Sequence, residues 1–249
     1  MARAAASETP PVGSRPEEGE VWAIVVAAGL GTRLGAETPK QHLLLAGRSV
    51  LDRALDCLAG RANVIVVASD SMVAAVAGAF GHRVSAVGAG GSTRSASVRA
   101  GLKAVPSSAD VVLVHDAARP FCPSDVVDRV VSAVRAGADA VVPAMAVTDT
   151  IKVVDGSAVV STLDRSSLVA VQTPQGFRAA ALRCAHASGG DATDDATLVE
   201  GLGGRVEWVA GSPLNRKLTT GHDLDWFETE ARRMAAAHVV VSDARSEGR

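Results

Sequence analysis

Short apolar runs alternate with alanine-rich amphipathic segments along most of this chain, and that rhythm restricts the folds open to it. Val21–Val26, Val64–Ala68, Val84–Val87, Val111–His115 and Ala140–Pro143 are too short for buried helices and are rich in β-branched residues. They read as buried strands. Ser49–Ala59, Ser71–Phe80, Ser92–Val105, Ser124–Ala136 and His222–Ala237 read as helices. Strand–helix alternation predicts an α/β architecture, a mostly parallel sheet with helices on both faces. With 249 residues, 47% of them hydrophobic, the chain can build one large core. In such a sheet ligands bind beyond the carboxyl ends of the strands.

The rhythm breaks at about 147–173. Ile151–Val154, Asp155-Gly156 and Ala158–Val160 read as a β-hairpin with an Asp-Gly turn. A hairpin this short is marginal alone, so it must lean on the main body or on another subunit. Residues 1–20, with Pro10-Pro11, Gly13 and Glu17-Glu18, read as a disordered tail, and residues 242–249 as a frayed one. A single domain, 21–241, is expected between them. The first residues lack the apolar core of a signal peptide, and no uncharged apolar stretch is long enough to span a bilayer. Cys57, Cys122 and Cys184 show no metal-ligand spacing and read as small hydrophobes in a reducing compartment. Together these predict a cytoplasmic protein with no membrane partner. A formal charge of -2, 3% aromatic residues and no tyrosine argue against a nucleic-acid partner.

The chemistry-bearing motifs fall where the predicted strands end. After the first run comes Ala27-Ala28-Gly29-Leu30-Gly31-Thr32-Arg33, then Pro39-Lys40-Gln41. Glycines there let backbone N–H groups approach an anion, and the two cations sit where phosphates would lie. Leu34 occupies the third glycine position of a dinucleotide fingerprint, and Lys40 lacks the neighbours of a Walker loop. On spacing alone a tight strand-to-loop turn accounts for the glycines equally well. His115-Asp116-Ala117-Ala118-Arg119-Pro120 follows another strand. Asp116 is placed to bind Mg²⁺, which takes one or two carboxylates plus substrate phosphates; the alternative is a turn cap beside a packed core histidine. Gly90-Gly91-Ser92-Thr93-Arg94 through Val98 opens a helix, either for an anion or simply with Ser92 as its cap. Lys217, in Asn215–Thr220, is a third cation or a solvated lysine. Thr193-Asp194-Asp195 suits a helix N-terminus. No Ser/His/Asp triad, paired-carboxylate site or zinc motif stands out.

Taken in order, Ala-Ala-Gly-x-Gly-x-Arg…Pro-Lys-Gln, Gly-Gly…Arg-x-x-Ser-Val, His-Asp-Ala-Ala-Arg-Pro, Asp-Thr-Ile-Lys, Asp164-Arg165, Gln172-Thr173-Pro174-Gln175, Thr193-Asp194 and Asn215-x-Lys217-x-Thr219 resemble the 2-C-methyl-D-erythritol 4-phosphate cytidylyltransferase family of the non-mevalonate isoprenoid pathway. The resemblance runs from about Val21 to Ala237. It implies a Rossmann-like fold of the nucleotide-diphospho-sugar transferase type, with the hairpin as a dimerisation arm in a homodimer. It implies CMP transfer from CTP to methylerythritol phosphate, assisted by Mg²⁺ or another divalent cation. Arg33, Lys40 and Lys217 would be catalytic cations. Ala27, Ala28, Gly29, Gly31, Gly91 and Ser97 would contact the nucleotide. Asp116 would place the metal and the polyol phosphate. Arg119, Thr193 and Lys217 would bind the second substrate, and Thr150 and Arg165 would reach it from the partner's arm.

One departure is Gly221-His222-Asp223-Leu224 where the family commonly has Pro-Glu-Asp-Leu, which leaves the start of the last helix, and with it Lys217, less defined. Ribitol 5-phosphate cytidylyltransferase shares most of these motifs and differs in the polyol pocket. A non-catalytic nucleotide-binding module would keep the fold without turnover, although Arg33, Lys40, Asp116 and Lys217 are all present.

Overall fold

The computed structural model describes residues 19–29, 40–187 and 189–246. In chain order its elements are β1 (Glu20–Ala27), β2 (Leu44–Leu45), β3 (Arg48–Ser49), α1 (Val50–Ala54), β4 (Asn63–Ala68), α2 (Val73–Phe80), β5 (Ala86–Ala89), α3 (Arg94–Leu102), β6 (Ala109–Asp116) and α4 (Ser124–Arg135). There follow β7 (Ala140–Ala146), β8 (Lys152–Asp155), β9 (Ala158–Thr162), β10 (Val169–Val171), β11 (Gln175–Arg178), α5 (Ala179–Ala187), α6 (Asp195–Glu200), β12 (Val206–Ala210) and α7 (Leu224–Ser246).

The main sheet runs β10-β7-β11-β6-β1-β4-β5, with β12 also on β7. β5, β4, β1 and β6 pair in parallel, which puts the ends of β1 and β6 side by side, with Val26 opposite Asp116. Successive residues of a strand face opposite sides, and the valine runs use both. Ala23 and Val25 of β1 join Leu113, Val126 and Val130 on one face, with α4. Ile24 joins Val98, Val112 and Leu182 on the other, with α3 and α5. Each such fully buried valine or leucine contributes about 1.5–3 kcal/mol. A third cluster packs α7, through Phe227 and Ala231, over Leu45, Phe121 and Leu218. The rings of Phe121 and Phe227 stack at 5.6 Å. α7 thereby fixes both the loop after β6 and the segment that carries Lys217.

The parallel core and the helices on both faces agree with the sequence reading, but several local features differ. β11 enters antiparallel between β6 and β7; its four residues include Gly176 and follow Pro174, so no strand periodicity marks it. β5 covers Ala86–Ala89 rather than Val84–Val87, because its pairing with β4 begins at Ala86 opposite Ile65. The helix expected over Ser49–Ala59 stops after Ala54 and continues as a tighter turn, Asp56–Leu58. α3 is capped by Thr93, not Ser92: the Thr93 hydroxyl accepts from Ala96 N–H at 3.1 Å. α7 runs on to Ser246, through the stretch expected to fray. Neither proline nor glycine interrupts it there.

The hairpin forms as β8 and β9, with Asp155 opposite Ala158. Its turn is therefore Gly156-Ser157, one residue later than Asp-Gly. Gly156 has φ 55 at the first central position, a conformation that favours glycine. Every residue of both strands is exposed.

Candidate active site

A cleft of about 470 Å³ opens at the carboxyl ends of the parallel strands. Ala28 and Gly29 after β1, Gly91 and Arg94 after β5, Asp116 at the end of β6, and Lys217 line it.

Each wall is held by local chemistry. Gln41 donates through Nε2 to the Ala27 carbonyl at 2.7 Å, tying the segment after the glycine turn back to β1. Gly91 N–H donates to Ser97 Oγ at 3.2 Å, and Ser97 Oγ donates to the Thr93 carbonyl at 3.0 Å. A Cβ on Gly91 would stand 2.4 Å from that of Ala96 and 3.1 Å from the Ala96 carbonyl carbon, so this corner tolerates only glycine. Thr173 Oγ1 accepts from Asp116 N–H at 3.0 Å and contacts His115 Nδ1 at 3.1 Å. His115 is fully buried, as a core histidine.

The Asp116 side chain does not cap the following turn. It is 8% exposed and held through both oxygens: Lys217 Nζ lies 2.7 Å from Oδ2, and Arg94 Nε 3.3 Å from Oδ1. Burial opposes its ionisation, but Lys217 and Arg94 outweigh burial and hold the carboxyl well below the usual carboxylate range. Lys217 is not a solvated lysine. Leu218 N–H donates to the Ala118 carbonyl at 2.8 Å, docking its segment against the loop after β6. Asp223 accepts from Thr219 and Thr220 N–H at 3.0 and 2.8 Å. Asp223 thus defines the start of the last helical segment without a proline.

This geometry agrees with sequence comparison. The family model described as IspD, 2-C-methyl-D-erythritol 4-phosphate cytidylyltransferase, matches residues 21–232. The chain belongs to this family. It is 50% identical over 212 residues to the 2-C-methyl-D-erythritol 4-phosphate cytidylyltransferase of Rhodococcus jostii (strain RHA1), covering 83% of this chain and 93% of that protein. It is 47% identical over 235 residues to the bifunctional enzyme IspD/IspF of Clavibacter michiganensis subsp. michiganensis, covering 90% of this chain but only 57% of that longer protein. The crystal structure of the cytidylyltransferase from Thermus thermophilus matches with TM-score 0.71 and 37% identity, over 86% of this chain and 99% of that one.

Within this IspD fold, the expected site residues divide into groups. Ala28, Gly29, Gly91, Ser97, Asp116 and Lys217 line the one cleft. Ala27 stands behind it, 3% exposed, its carbonyl taken by Gln41. Arg119 is also buried, donating to the Asn215 carbonyl at 2.7 Å, and its Nε has no partner among the described residues. Thr193 is exposed just before Asp194, which caps α6 by accepting from Thr197 N–H. Thr150 and Arg165 lie at the base of the exposed arm, where Arg165 donates to the Thr148 carbonyl. Gly31 and Arg33 lie outside the described residues, as does the side chain of Lys40, whose backbone opens a short helical turn.

The sequence reading placed none of Asn215, Thr173 and Asp195 in the site. Asn215, with no exposed surface, donates to the Thr173 carbonyl at 2.8 Å. Asp195, read as a helix-terminal acid, is fully buried and bonded to Arg94 and His186. Asn215 stood in the Asn215-x-Lys217-x-Thr219 motif and Thr173 in the Gln172–Gln175 motif; nothing in the sequence pointed at His186. No helix among the described residues is long and apolar enough to cross a membrane.

Proposed function

We propose that this chain transfers the cytidylyl group of CTP to 2-C-methyl-D-erythritol 4-phosphate, giving 4-diphosphocytidyl-2-C-methyl-D-erythritol and pyrophosphate. The observation that carries this reading is Asp116, ionised and set between Lys217 and Arg94 at the strand-end cleft of a chain that matches the family over residues 21–232.

The substrate phosphate is already ionised, so its oxygen attacks the α-phosphorus of CTP without a general base. The bond from that phosphorus to the pyrophosphate oxygen breaks in line, and pyrophosphate leaves with the electron pair. What the protein must supply is position and positive charge. Lys217 is held at the cleft for that purpose, and Arg33 and Lys40 are assigned to the triphosphate. Ala28, Gly29, Gly91 and Ser97 form the nucleotide wall, and Ala27 and Gly31 of the same sequence motif are assigned to the nucleotide with them. Arg119 and Thr193 are assigned to the second substrate.

Among the described residues no group of three or more His, Cys, Asp or Glu could hold a metal. A magnesium ion in this reaction needs no such group, because one carboxylate and the substrate phosphates suffice. Asp116 fits that part: it is ionised, and its 3.3 Å contact with Arg94 leaves Oδ1 only loosely engaged. When bound, Mg²⁺ would neutralise charge on the phosphoryl oxygens.

The arm supports a homodimer. Val154, Val159 and Val160 are 60%, 62% and 64% exposed on a hairpin that pairs with no other strand among the described residues. Apolar surface of that kind marks an interaction site. Thr150 and Arg165 would then reach the polyol phosphate in the partner subunit's cleft.

The test is pyrophosphate release with CTP and Mg²⁺, comparing methylerythritol phosphate with D-ribitol 5-phosphate. A strong preference for methylerythritol phosphate is expected. Preference for ribitol phosphate would overturn the substrate assignment, and CTP binding without turnover with either would overturn the enzymatic one.

A further inference from the structure

Arg94 has two carboxylates and divides itself unequally between them. Its Nη1 lies 2.6 Å from Asp195 Oδ2, while its Nε lies 3.3 Å from Asp116 Oδ1. The tighter contact points away from the cleft. Asp195 has no exposed surface, and its other oxygen accepts from His186 Nε2 at 2.9 Å. His186 is itself buried on α5, and its Nδ1 has no partner, so Asp195 is the one polar contact of this ring among the described residues. Asp195 sits in the first turn of α6, whose start is fixed by Asp194 and by Gln175, which donates to Asp194 at 2.8 Å. A rigid, dry carboxylate thus anchors an arginine that lines the nucleotide cleft.

Arg94 is part-buried, 22% exposed, and a guanidinium in such a place that loses one of its two anions turns to the other. Without Asp195, the carboxylate already touching Arg94 is Asp116, and Arg94 would close on it. Asp116 would then be held by Lys217 and Arg94 at full strength, with less of its charge available to a cation. We infer that Asp195, held by His186, is a positioning residue: it keeps Arg94 directed away from Asp116, so that Asp116 stays open to a divalent cation and the nucleotide phosphates it carries. The inference rests on the reading of Asp116 as the cation's carboxylate.

The experiment is an electron paramagnetic resonance titration of Mn²⁺ into the full chain with saturating CTP and no second substrate, which reads metal binding without turnover. Asp195→Asn is expected to weaken Mn²⁺ binding about tenfold, the size of effect seen when a group that orients a metal ligand is lost. The double variant Arg94→Gln/Asp195→Asn is expected to recover most of that loss, because the cation that would close on Asp116 is gone. Wild-type Mn²⁺ affinity in Asp195→Asn would overturn the inference. So would a double variant as weak as Asp195→Asn alone, since a merely structural role predicts no rescue. Should Asp195→Asn fail to fold, His186→Leu keeps Asp195 but removes its support. It is expected to weaken Mn²⁺ binding in the presence of Arg94 and not in an Arg94→Gln background; equal losses in both would overturn the inference. Asp116→Asn is the separate control: wild-type affinity there would remove the reading of Asp116 itself, whatever Asp195 does.

Discussion

The cleft and the arm carry the proposed chemistry in opposite ways. In β6 nearly every residue is buried, and the strand delivers Asp116 into a set of fixed contacts with Lys217, Arg94 and Thr173. In β8 and β9 every residue is exposed, the valines among them. The cleft is therefore organised by the monomer's own core. The arm has a conformation but no strand partner beyond itself among the described residues. A strand buried on both faces can position a charge to a fraction of an ångström. A lone two-stranded hairpin gains such precision only when something packs against it.

The sharpest ways to break this contrast act on the cleft. Lys217→Ala is expected to lower kcat by on the order of 10²–10³, as when a preorganised charge stabiliser is lost, with the circular dichroism spectrum unchanged. Asp116→Asn should lose Mg²⁺-dependent turnover in the same way; a variant with near-full activity would remove its metal role. On the arm, Arg165→Ala is expected to raise the KM for methylerythritol phosphate about tenfold, the worth of a charged hydrogen bond, and to leave the KM for CTP unchanged. Equal effects on both would mean that the arm does not select the polyol phosphate. If the arm joins two subunits as proposed, Val159→Asp should shift the sedimentation equilibrium from dimer to monomer while CTP binding persists; a wild-type monomer or an unchanged dimer in the variant would overturn that role.

The smallest effect is on stability at low pH. Asp116 is depressed on folding by Lys217 and Arg94. Its contribution to stability is therefore fully present above the unfolded carboxylate value of about 3.9 and is lost as pH falls below that, toward the folded value. Asp116→Asn should flatten this acid limb in urea titrations between about pH 4 and pH 2. An unchanged slope would show that the ion pairs contribute nothing to folding.

The same contrast explains what the sequence made legible. The valine runs of β1, β4 and β6 are buried on both faces, so composition alone marks them, and motifs next to such runs must fall at the ligand edge. Asp116 was readable for that reason; Lys217, 101 residues away, stands beside no such run and was marked only by the family motif Asn215-x-Lys217-x-Thr219. The hairpin was readable from its turn chemistry, one residue out of register. The Arg94–Asp195–His186 chain was not readable. Its members come from α3, α6 and α5, and only tertiary packing brings them together. β11 was missed because it is too short and too rich in glycine and polar residues to show a period, yet its place between β6 and β7 decides the sheet order.

The most direct test of the division between a self-sufficient cleft and a partner-dependent arm is subunit mixing. Lys217→Ala enzyme, nearly inactive, and Arg165→Ala enzyme, with about a tenth of wild-type activity at low methylerythritol phosphate, would be mixed, allowed to exchange subunits, and assayed there for pyrophosphate release. If each arm completes the partner's cleft, half of the randomly exchanged dimers carry one intact site of two, and about one quarter of wild-type activity returns. No gain above the separate variants would show that each arm serves its own cleft and would contradict the account.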